Sequence, residues 1–470
     1  MCEHALTHHP DSYLLDPFLR LQAGVSLQGS VVVCDEAHNL ASHACQQGSL
    51  LLSRAQVALI LREEELATKA PTIQSLLSGL HRMLHTHSRI VCGVGSEAVA
   101  DLLRRCAVTA ASIAAMQAEV AVHEWGQDTA RRLTQQLVTV LGYMLAHPQR
   151  YAVRYLTSSL SLACLHAGVV LACLTAPNHG PHSVIAASGT MPADFTRDTD
   201  MPFTTVSGDH VIAADALWLY TVGVTRRGEL LHCTANKLAV QSTRATSNTA
   251  PPATPSRVAE LTVDAIACLP PGSGCLVFLP SYAALGSVVV LINDRLQQRS
   301  SPVQVTLLQE PRNAAEYVGV VAQFNGSPRT RVLLCVHRGK AAEGVEFRRG
   351  AVQLVVSVGI PYPNLGDQHF KDRLAYQRSK YSKSDADRWV HRQAYTAIYQ
   401  CLGRCVRGPA DRAAVLMVDD RFWNGAYRGF APTWLHRRIA AEPNGIPHAR
   451  TAGECTQALA SLRTFLRTCI

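Results

Sequence analysis

The stretch VVVCDEAHNL, residues 31–40, sets the frame for the rest of the chain. Four apolar residues follow the turn signal Gln28-Gly29-Ser30 and predict a short, fully buried strand of the kind parallel sheets use. The acids begin where the strand ends. In open α/β sheets ligands bind at the carboxyl ends of strands, so Asp35 and Glu36 are delivered into a crevice and not into a core. Asp35 is placed to hold Mg2+, a hard cation that takes oxygen ligands in a strict octahedron and keeps much of its water. Glu36 is placed to polarise an attacking water. Two acids after a strand also suit a helix N-terminus, but the full Asp-Glu-Ala-His quartet on a buried strand points to a nucleoside-triphosphate site.

The 470 residues have room for two or three domains. Apolar residues make up 47 % and charged residues 17 %, yet no run of 18 apolar residues exists, which argues against a membrane span. Met1-Cys2-Glu3-His4 lacks the basic and apolar regions of a signal peptide, so the expected compartment is intracellular. The 15 cysteines are odd in number and form no C-x-x-C pair, as expected of reduced, mostly buried thiols. Cys401 and Cys405 lie one helical turn apart with no matching pair elsewhere, which favours packing over metal. The net charge of +9 suits a polyanionic partner, although it is spread along the chain.

Residues 1–45 hold one strand and the start of one helix, too little for a core of their own. From 46 to 165 the pattern turns helical, with apolar residues at i, i+3, i+4 over 55–67, 97–125 and 129–146, as for an inserted helical subdomain. Its His81, His85 and His87 have no acidic or thiol partner nearby and read as a solvated loop or helix end. SVIAAS at 183–188 is again a buried-type strand, ending in Ser188-Gly189-Thr190, which taken alone reads as a plain turn and whose small hydroxyl side chains can also bond a neighbouring loop or phosphate. Beyond residue 200 comes a second α/β unit, with strands at 275–279, 303–308, 331–336 and 353–358 and helices at 282–297 and 383–407. The polar run 243–256 reads as a linker, and 455–469 as a closing helix.

The helix expected over 385–407 places Gln400, Arg404 and Arg407 at i, i+4 and i+7, on one face. Arginine carries a permanent planar charge suited to phosphate and can stabilise charge developing on a transferring γ-phosphoryl group. Gly403 beside Arg404 allows close approach of another surface. The run 338–347 contains Gly339-Lys340, but Leu334 and Ala341 stand where a P-loop needs Gly and Ser or Thr, so it is not one. No G-x-x-x-x-G-K-[ST] occurs anywhere in the 470 residues.

Taken together, Tyr13-Leu14-Leu15-Asp16, the DEAH quartet, Ser188-Gly189-Thr190, Phe278-Leu279-Pro280-Ser281-Tyr282, Arg338-Gly339-Lys340 through Phe347, Gly359-Ile360-Pro361-Tyr362-Pro363-Asn364, Gln400 through Arg407 and Val418-Asp419-Asp420-Arg421-Phe422 resemble, in order, the motifs of the XPD-like family of iron–sulphur superfamily 2 DNA helicases. The resemblance implies an α/β fold of two RecA-like lobes with an Arch domain inserted after the DEAH motif. Residues 1–45 are then a partial first lobe, 46–165 a helical Arch-like insert, 166–200 the return to lobe 1, 201–440 a complete second lobe and 441–470 a C-terminal tail. It implies ATP- and Mg2+-dependent 5′ to 3′ translocation on single-stranded or forked DNA in repair and genome maintenance, alongside repair proteins in the nucleus. By position, Asp35 and Glu36 serve Mg2+ and water, His38 couples hydrolysis to DNA, Ser188 and Thr190 relay between lobes, Gly344 and Glu346 line the nucleotide cleft, and Gln400 with the fingers Arg404 and Arg407 completes the set. Tyr362, in a loop at a strand end, is placed either to stack on a base or to pack within the loop.

Two departures stand out. The family's P-loop and its four 4Fe-4S cysteines precede the DEAH motif, whereas the 34 residues before Asp35 contain only Cys2 and Cys34. The P-loop backbone and lysine hold the β and γ phosphates. The expectation is therefore an N-terminally incomplete helicase, a truncated gene model or degenerate copy that is inactive as an isolated chain. The competing reading is a non-catalytic module that grips nucleic acid or a repair partner.

Overall fold

The structure, a computed structural model, describes residues 14–86, 91–177, 179–208, 212–239, 253–298, 304–342, 347–406, 408–432, 435 and 446–468. It divides into two compact units, Met1–Thr204 with Asn364–Ala386, and Thr205–Pro363 with Asp387–Ile470.

The first unit starts with helix Pro17–Gln22, capped by Asp16, whose carboxylate accepts from the N–H groups of Phe18 and Leu19. Strand β1 (Val31–Cys34) follows. Next come β2 (Leu50–Ser53), β3 (Val91–Val94), β4 (Tyr151–Leu156), β5 (Ser159–Cys164) and β6 (Ser183–Ala186). β1 and β6 pair in parallel, Val31 opposite Ser183 and Cys34 opposite Ala186. Leu40, Ala44, Val170, Leu171 and Phe195 form a small core with Cys34 on one side of this ribbon. The strands are not fully buried as the apolar runs suggest. Val31 is 59 % exposed, Val33 65 % and Ile185 52 %. Side chains alternate across a strand, and only one face of this two-stranded ribbon lies on that core.

The stretch 46–165 is not purely helical. β2, β5, β4 and β3 form an antiparallel sheet in that order, with β4 and β5 joined as a hairpin through Thr157-Ser158. Short apolar runs such as Tyr151–Leu156 cannot be told from buried helix by periodicity alone. Helices Arg54–Ile60, Pro71–Thr86, Ser96–Arg105, Ala110–Val122 and Asp128–Ala146 share a core with the sheet. Two expected helices are interrupted. The 97–125 segment breaks at Ala107, which has φ +50°, and restarts with a capping box between Thr109 and Ser112. The 55–67 segment ends its first helix at Ile60 and turns at Glu65, φ +57°. Glu119 ties neighbouring helices together, its carboxylate accepting from the N–H groups of Thr72 and Ile73 at 3.0 and 2.9 Å. Such a carboxylate satisfies the orphan donors and positive end of a helix N-terminus.

Helix Gln368–Lys380, expected within the second lobe, belongs to the first unit. Its Tyr376 packs with Ala152, Ala163 and Leu165, and Asp372 takes the guanidinium of Arg154 on β4.

The second unit contains β7 (Leu217–Val222), β8 (Gly274–Leu279), β9 (Val305–Gln309), β10 (Thr330–Val336), β11 (Leu354–Val358), β12 (Ala413–Val418) and β13 (His448–Ala449). They form one sheet, ordered β13-β7-β12-β11-β8-β10-β9, and every pairing is parallel. β8, β11 and β12 are buried along their whole length, which is why they read as continuous apolar runs. A core lies on each face of the sheet. The closing helix, Ala452–Arg467, is part of one of them: Cys455, Ala458, Leu462 and Leu466 pack there. The chain from Pro447 onward is therefore integral to this unit and not an appended tail, since β13 also pairs with β7. Most of the linker at 243–256 lies outside the described residues, and helix Thr254–Ile266 begins within it.

Candidate functional site

In the first unit the DEAH residues gather at the carboxyl end of β1. Asp35 is exposed, and one of its carboxylate oxygens accepts the Glu36 N–H at 2.9 Å. Glu36 has φ +47° and ψ +40°, a left-handed conformation that residues other than Gly, Asn and Asp seldom adopt. Its neighbours over-determine it: Ala37 donates its N–H to Ala187 O at 2.9 Å, and Ala187 donates to Cys34 O. Strain of this kind costs on the order of 1–3 kcal/mol and collects at functional sites. The turn reverses the chain so that Glu36 points outward while His38 turns inward, its side chain 62 % against 4 % exposed.

His38 joins the two motifs of this unit. Its Nδ1 lies 2.7 Å from Ser188 Oγ and 3.3 Å from Glu36 Oε2. Ser188 Oγ also accepts the Thr190 N–H at 3.1 Å, and the Thr190 hydroxyl is buried without a hydrogen-bond partner among the described residues. Glu36, His38, Ser188 and Thr190 thus form one polar chain across the β1 and β6 strand ends. An imidazole between a carboxylate and a hydroxyl can pass a change in charge at one to the orientation of the other. Asp35 presents hard oxygen donors to solvent at the same strand end, which suits a hydrated Mg2+.

In the second unit, Gln400 is the half-buried last turn of helix Lys383–Leu402. The α-helix stops there, and Gly403–Cys405 tightens to a 3-10 turn. Gln400 and Arg404 are consequently not on one continuous α-helical face as their spacing suggests, and Arg407 lies outside the described residues. Among the described residues a Cβ at Gly403 would meet nothing within 4 Å. Arg404 instead reaches the turn after β10: its Nε donates to Ala342 O at 3.0 Å, and its Nη2 donates to the same oxygen. Gly344 and Glu346, further along that segment, lie outside the described residues.

Two residues that sequence reasoning passed over shape this turn. His337, at the end of β10, is buried beside Phe278 with its Nδ1 3.3 Å from Cys401 Sγ. Burial, followed by the nearby Arg338 charge, lowers its pKa to about 3. Glu310, just past β9, is also buried and accepts from the backbone of Val336 and Lys340. A Glu-Pro dipeptide at a strand end was the available sign. Tyr362 is half-buried, its hydroxyl 2.9 Å from His391 Nδ1 and the Arg421 guanidinium 6.0 Å from its ring centre.

His232, Asp419 and Asp420 are the one group of three potential metal ligands that converges among the described residues. Asp419 is committed elsewhere: Arg421 donates to it through Nε and Nη2, both at 2.8 Å, and Cys233 donates its N–H at 3.2 Å. No four thiols converge among the described residues.

The helicase C-terminal domain family matches residues 263–438 and the DEAD_2 family residues 4–57. The Fanconi anemia group J protein homolog of Gallus gallus is 23 % identical over 528 residues, covering 93 % of this chain and 40 % of that protein. The regulator of telomere elongation helicase 1 homolog of Anopheles gambiae is 21 % identical over 537 residues, covering 94 % and 52 %. The general transcription and DNA repair factor IIH helicase subunit XPD of Schizosaccharomyces pombe is 32 % identical over 207 residues, covering 42 % and 25 %. The chain thus spans about half or less of the length of these curated relatives. A solved XPD helicase superposes with a TM-score of 0.48 at 16 % identity, covering 90 % of this chain and 71 % of that one.

Proposed function

Since this chain is related to the XPD-like superfamily 2 helicases, we propose that it carries nucleotide and coupling motifs of an ATP-dependent 5′ to 3′ DNA helicase of repair and genome maintenance, acting on single-stranded and forked DNA in the nucleus. The observation that carries this reading is the chain Glu36, His38, Ser188 at the carboxyl ends of β1 and β6, with His38 Nδ1 2.7 Å from Ser188 Oγ.

In this reading Asp35 would hold Mg2+, and the ion would offset the charge of the phosphates. Glu36 orients the attacking water and takes its proton. His38 senses the change at Glu36 and passes it to Ser188 and Thr190. Gln400, Arg404 and Arg407 supply polar and positive groups to the developing γ-phosphoryl charge, and Gly344 and Glu346 line the nucleotide site. Tyr362 contributes to DNA contact. The 470 residues contain no P-loop sequence, so we propose that by themselves they do not turn over ATP. The second reading, a non-catalytic module that binds nucleic acid or a repair partner, is favoured for the isolated chain by the same feature.

Single-stranded-DNA-stimulated ATPase activity, measured beside a Glu36→Gln control and with a DNA-binding titration, separates these readings. DNA binding without turnover in either protein means that the missing P-loop is decisive and that the chain acts as a helicase fragment or a binding module. Turnover abolished by Glu36→Gln overturns the inactivity of the isolated chain. Failure to bind either DNA or nucleotide would sink both readings.

A further inference from the structure

We propose that Glu310 is a positioning residue that holds the 336–342 turn in the shape that presents Ala342 O to Arg404. Its importance to hydrolysis rests on the reading of Arg404 given above, but the positioning itself does not.

Glu310 is 2 % exposed. Its own N–H donates to Leu334 O at 2.8 Å, which brings its carboxylate beneath the end of β10. Oε2 accepts the Val336 N–H at 3.1 Å, and Oε1 accepts the Lys340 N–H at 2.7 Å and the Tyr282 hydroxyl at 3.1 Å. Three donors from two segments therefore converge on one buried carboxylate, Tyr282 from the FLPSY run and the other two from opposite ends of the turn. Burial, followed by this carboxylate, raises the Tyr282 pKa and keeps its proton in place to donate.

Inward-facing backbone N–H groups in a buried turn must find an acceptor. A carboxylate offers enough lone pairs for all three donors and brings no competing proton of its own. The turn is shaped around it. A Cβ at Gly339 would collide with Glu310 Oε1, Arg338 adopts φ +60°, and Lys340 Nζ donates back to the carbonyls of Pro311 and Arg312 at 3.1 and 2.7 Å. From the far side, Arg338 Nη2 donates to Gln393 O at 2.6 Å and Arg404 Nε to Ala342 O at 3.0 Å. Glu310 touches none of the reacting groups and acts only through the turn.

The test compares the full chain with Glu310→Gln, which keeps the volume but sets an amide N–H2 donor against a backbone or hydroxyl donor. Hydrogen exchange of the Arg404 Nε–H, followed by 15N–1H spectroscopy, reads the Arg404–Ala342 bond directly and needs no nucleotide. Exchange about tenfold faster, with a cooperative though lowered thermal transition, is the expected result for loss of charge-assisted bonds. Exchange within about twofold of the parent chain overturns the proposal, since that is smaller than the loss of one such bond. Should Glu310→Gln not fold, Tyr282→Phe removes a single donor and must still speed exchange; no change there also overturns it.

Affinity for a fluorescent ATP analogue with Mg2+ is the second readout, in Glu310→Gln, Arg404→Ala and the double variant. Positioning requires the double variant to be no weaker than Arg404→Ala alone, whereas a loss equal to the product of the single effects overturns it. If the parent chain binds no nucleotide analogue, as the missing P-loop allows, this readout says nothing of Arg404 and the exchange measurement alone decides the positioning.

Discussion

The ion pair between Arg154 and Asp372 offers the most quantitative test of how the first unit is held together. Arg154 lies on β4 and Asp372 on helix Gln368–Lys380, 218 positions later. The two side chains are 13 % and 5 % exposed. Arg154 Nε donates to Oδ2 at 2.7 Å and Nη2 to Oδ1, a fork that matches the carboxylate. A further contact to Asp372 among the described residues is a long one, 3.3 Å from Gln368 Nε2. Arg154→Met therefore strands a buried carboxylate, at an expected cost of about 3–5 kcal/mol. Arg154→Met combined with Asp372→Leu removes the charge together with its partner and is expected to lie within about 1 kcal/mol of the parent, or to stabilise it. The helix supplies Tyr376 to the hairpin surface, so apolar replacements have something to pack against. Urea denaturation, with hydrogen exchange of peptides from β4 and the helix to assign the transition to this unit, gives all four corners of the cycle. A single-variant cost below about 1 kcal/mol, the value of a solvent-exposed pair, would refute the reasoning. So would a double variant as unstable as Arg154→Met.

Other perturbations follow from local geometry. Burial is the leading cause that lowers the pKa of His337 to about 3 and that of His166 to about 4. The unfolded chain takes up protons at these residues near pH 6.5 while the folded chain does not. Stability is accordingly full above about pH 6.5 and is lost on acidification toward about 4 and then 3, by up to ~1.4 kcal/mol per pH unit per histidine; urea midpoints between pH 4 and 7 should flatten in His166→Gln. Glu36→Gly and Glu36→Gln both remove the acid, but only glycine relieves the left-handed strain at φ +47°; Glu36→Gly is expected to be about 1 kcal/mol more stable than Glu36→Gln by thermal denaturation. Gly359 combines φ +77° with close approach to Cys233 O, which a Cβ would strike. Gly359→Ala is expected to destabilise the second unit by at least ~1–2 kcal/mol, and an unchanged denaturation midpoint would contradict that.

Much of the α/β character was legible in the chain because buried parallel strands leave an unmistakable trace. β8, β10 and β11 are nearly unbroken apolar runs bounded by turns, and their flanking residues carry the motif side chains. Glu36, His38 and Ser188 could be singled out because residue type and strand-end position already limit their chemistry. The antiparallel sheet within 46–165 was not legible. Tyr151–Leu156 and Ser159–Cys164 are short and lack a period long enough to separate strand from helix. Nor did periodicity locate the breaks at Ala107 and Glu65, where two non-glycine residues take positive φ.

Sequence alone determined which residues could do chemistry and that parallel strands would present them, since residue type and hydrophobic pattern are local properties. Only the tertiary structure decided which of them meet. The 2.7 Å contact of His38 with Ser188 spans 150 positions, and the Arg404 bond to Ala342 spans 62. Tertiary structure also decided that Val31 and Val33 face outward from a two-stranded ribbon, and that helix Gln368–Lys380 belongs with β4. The convergence of donors on Glu310 has the same origin. A buried polar group is satisfied by whatever the fold brings beside it, and a carboxylate one residue past a strand carries no mark of the three donors that will reach it.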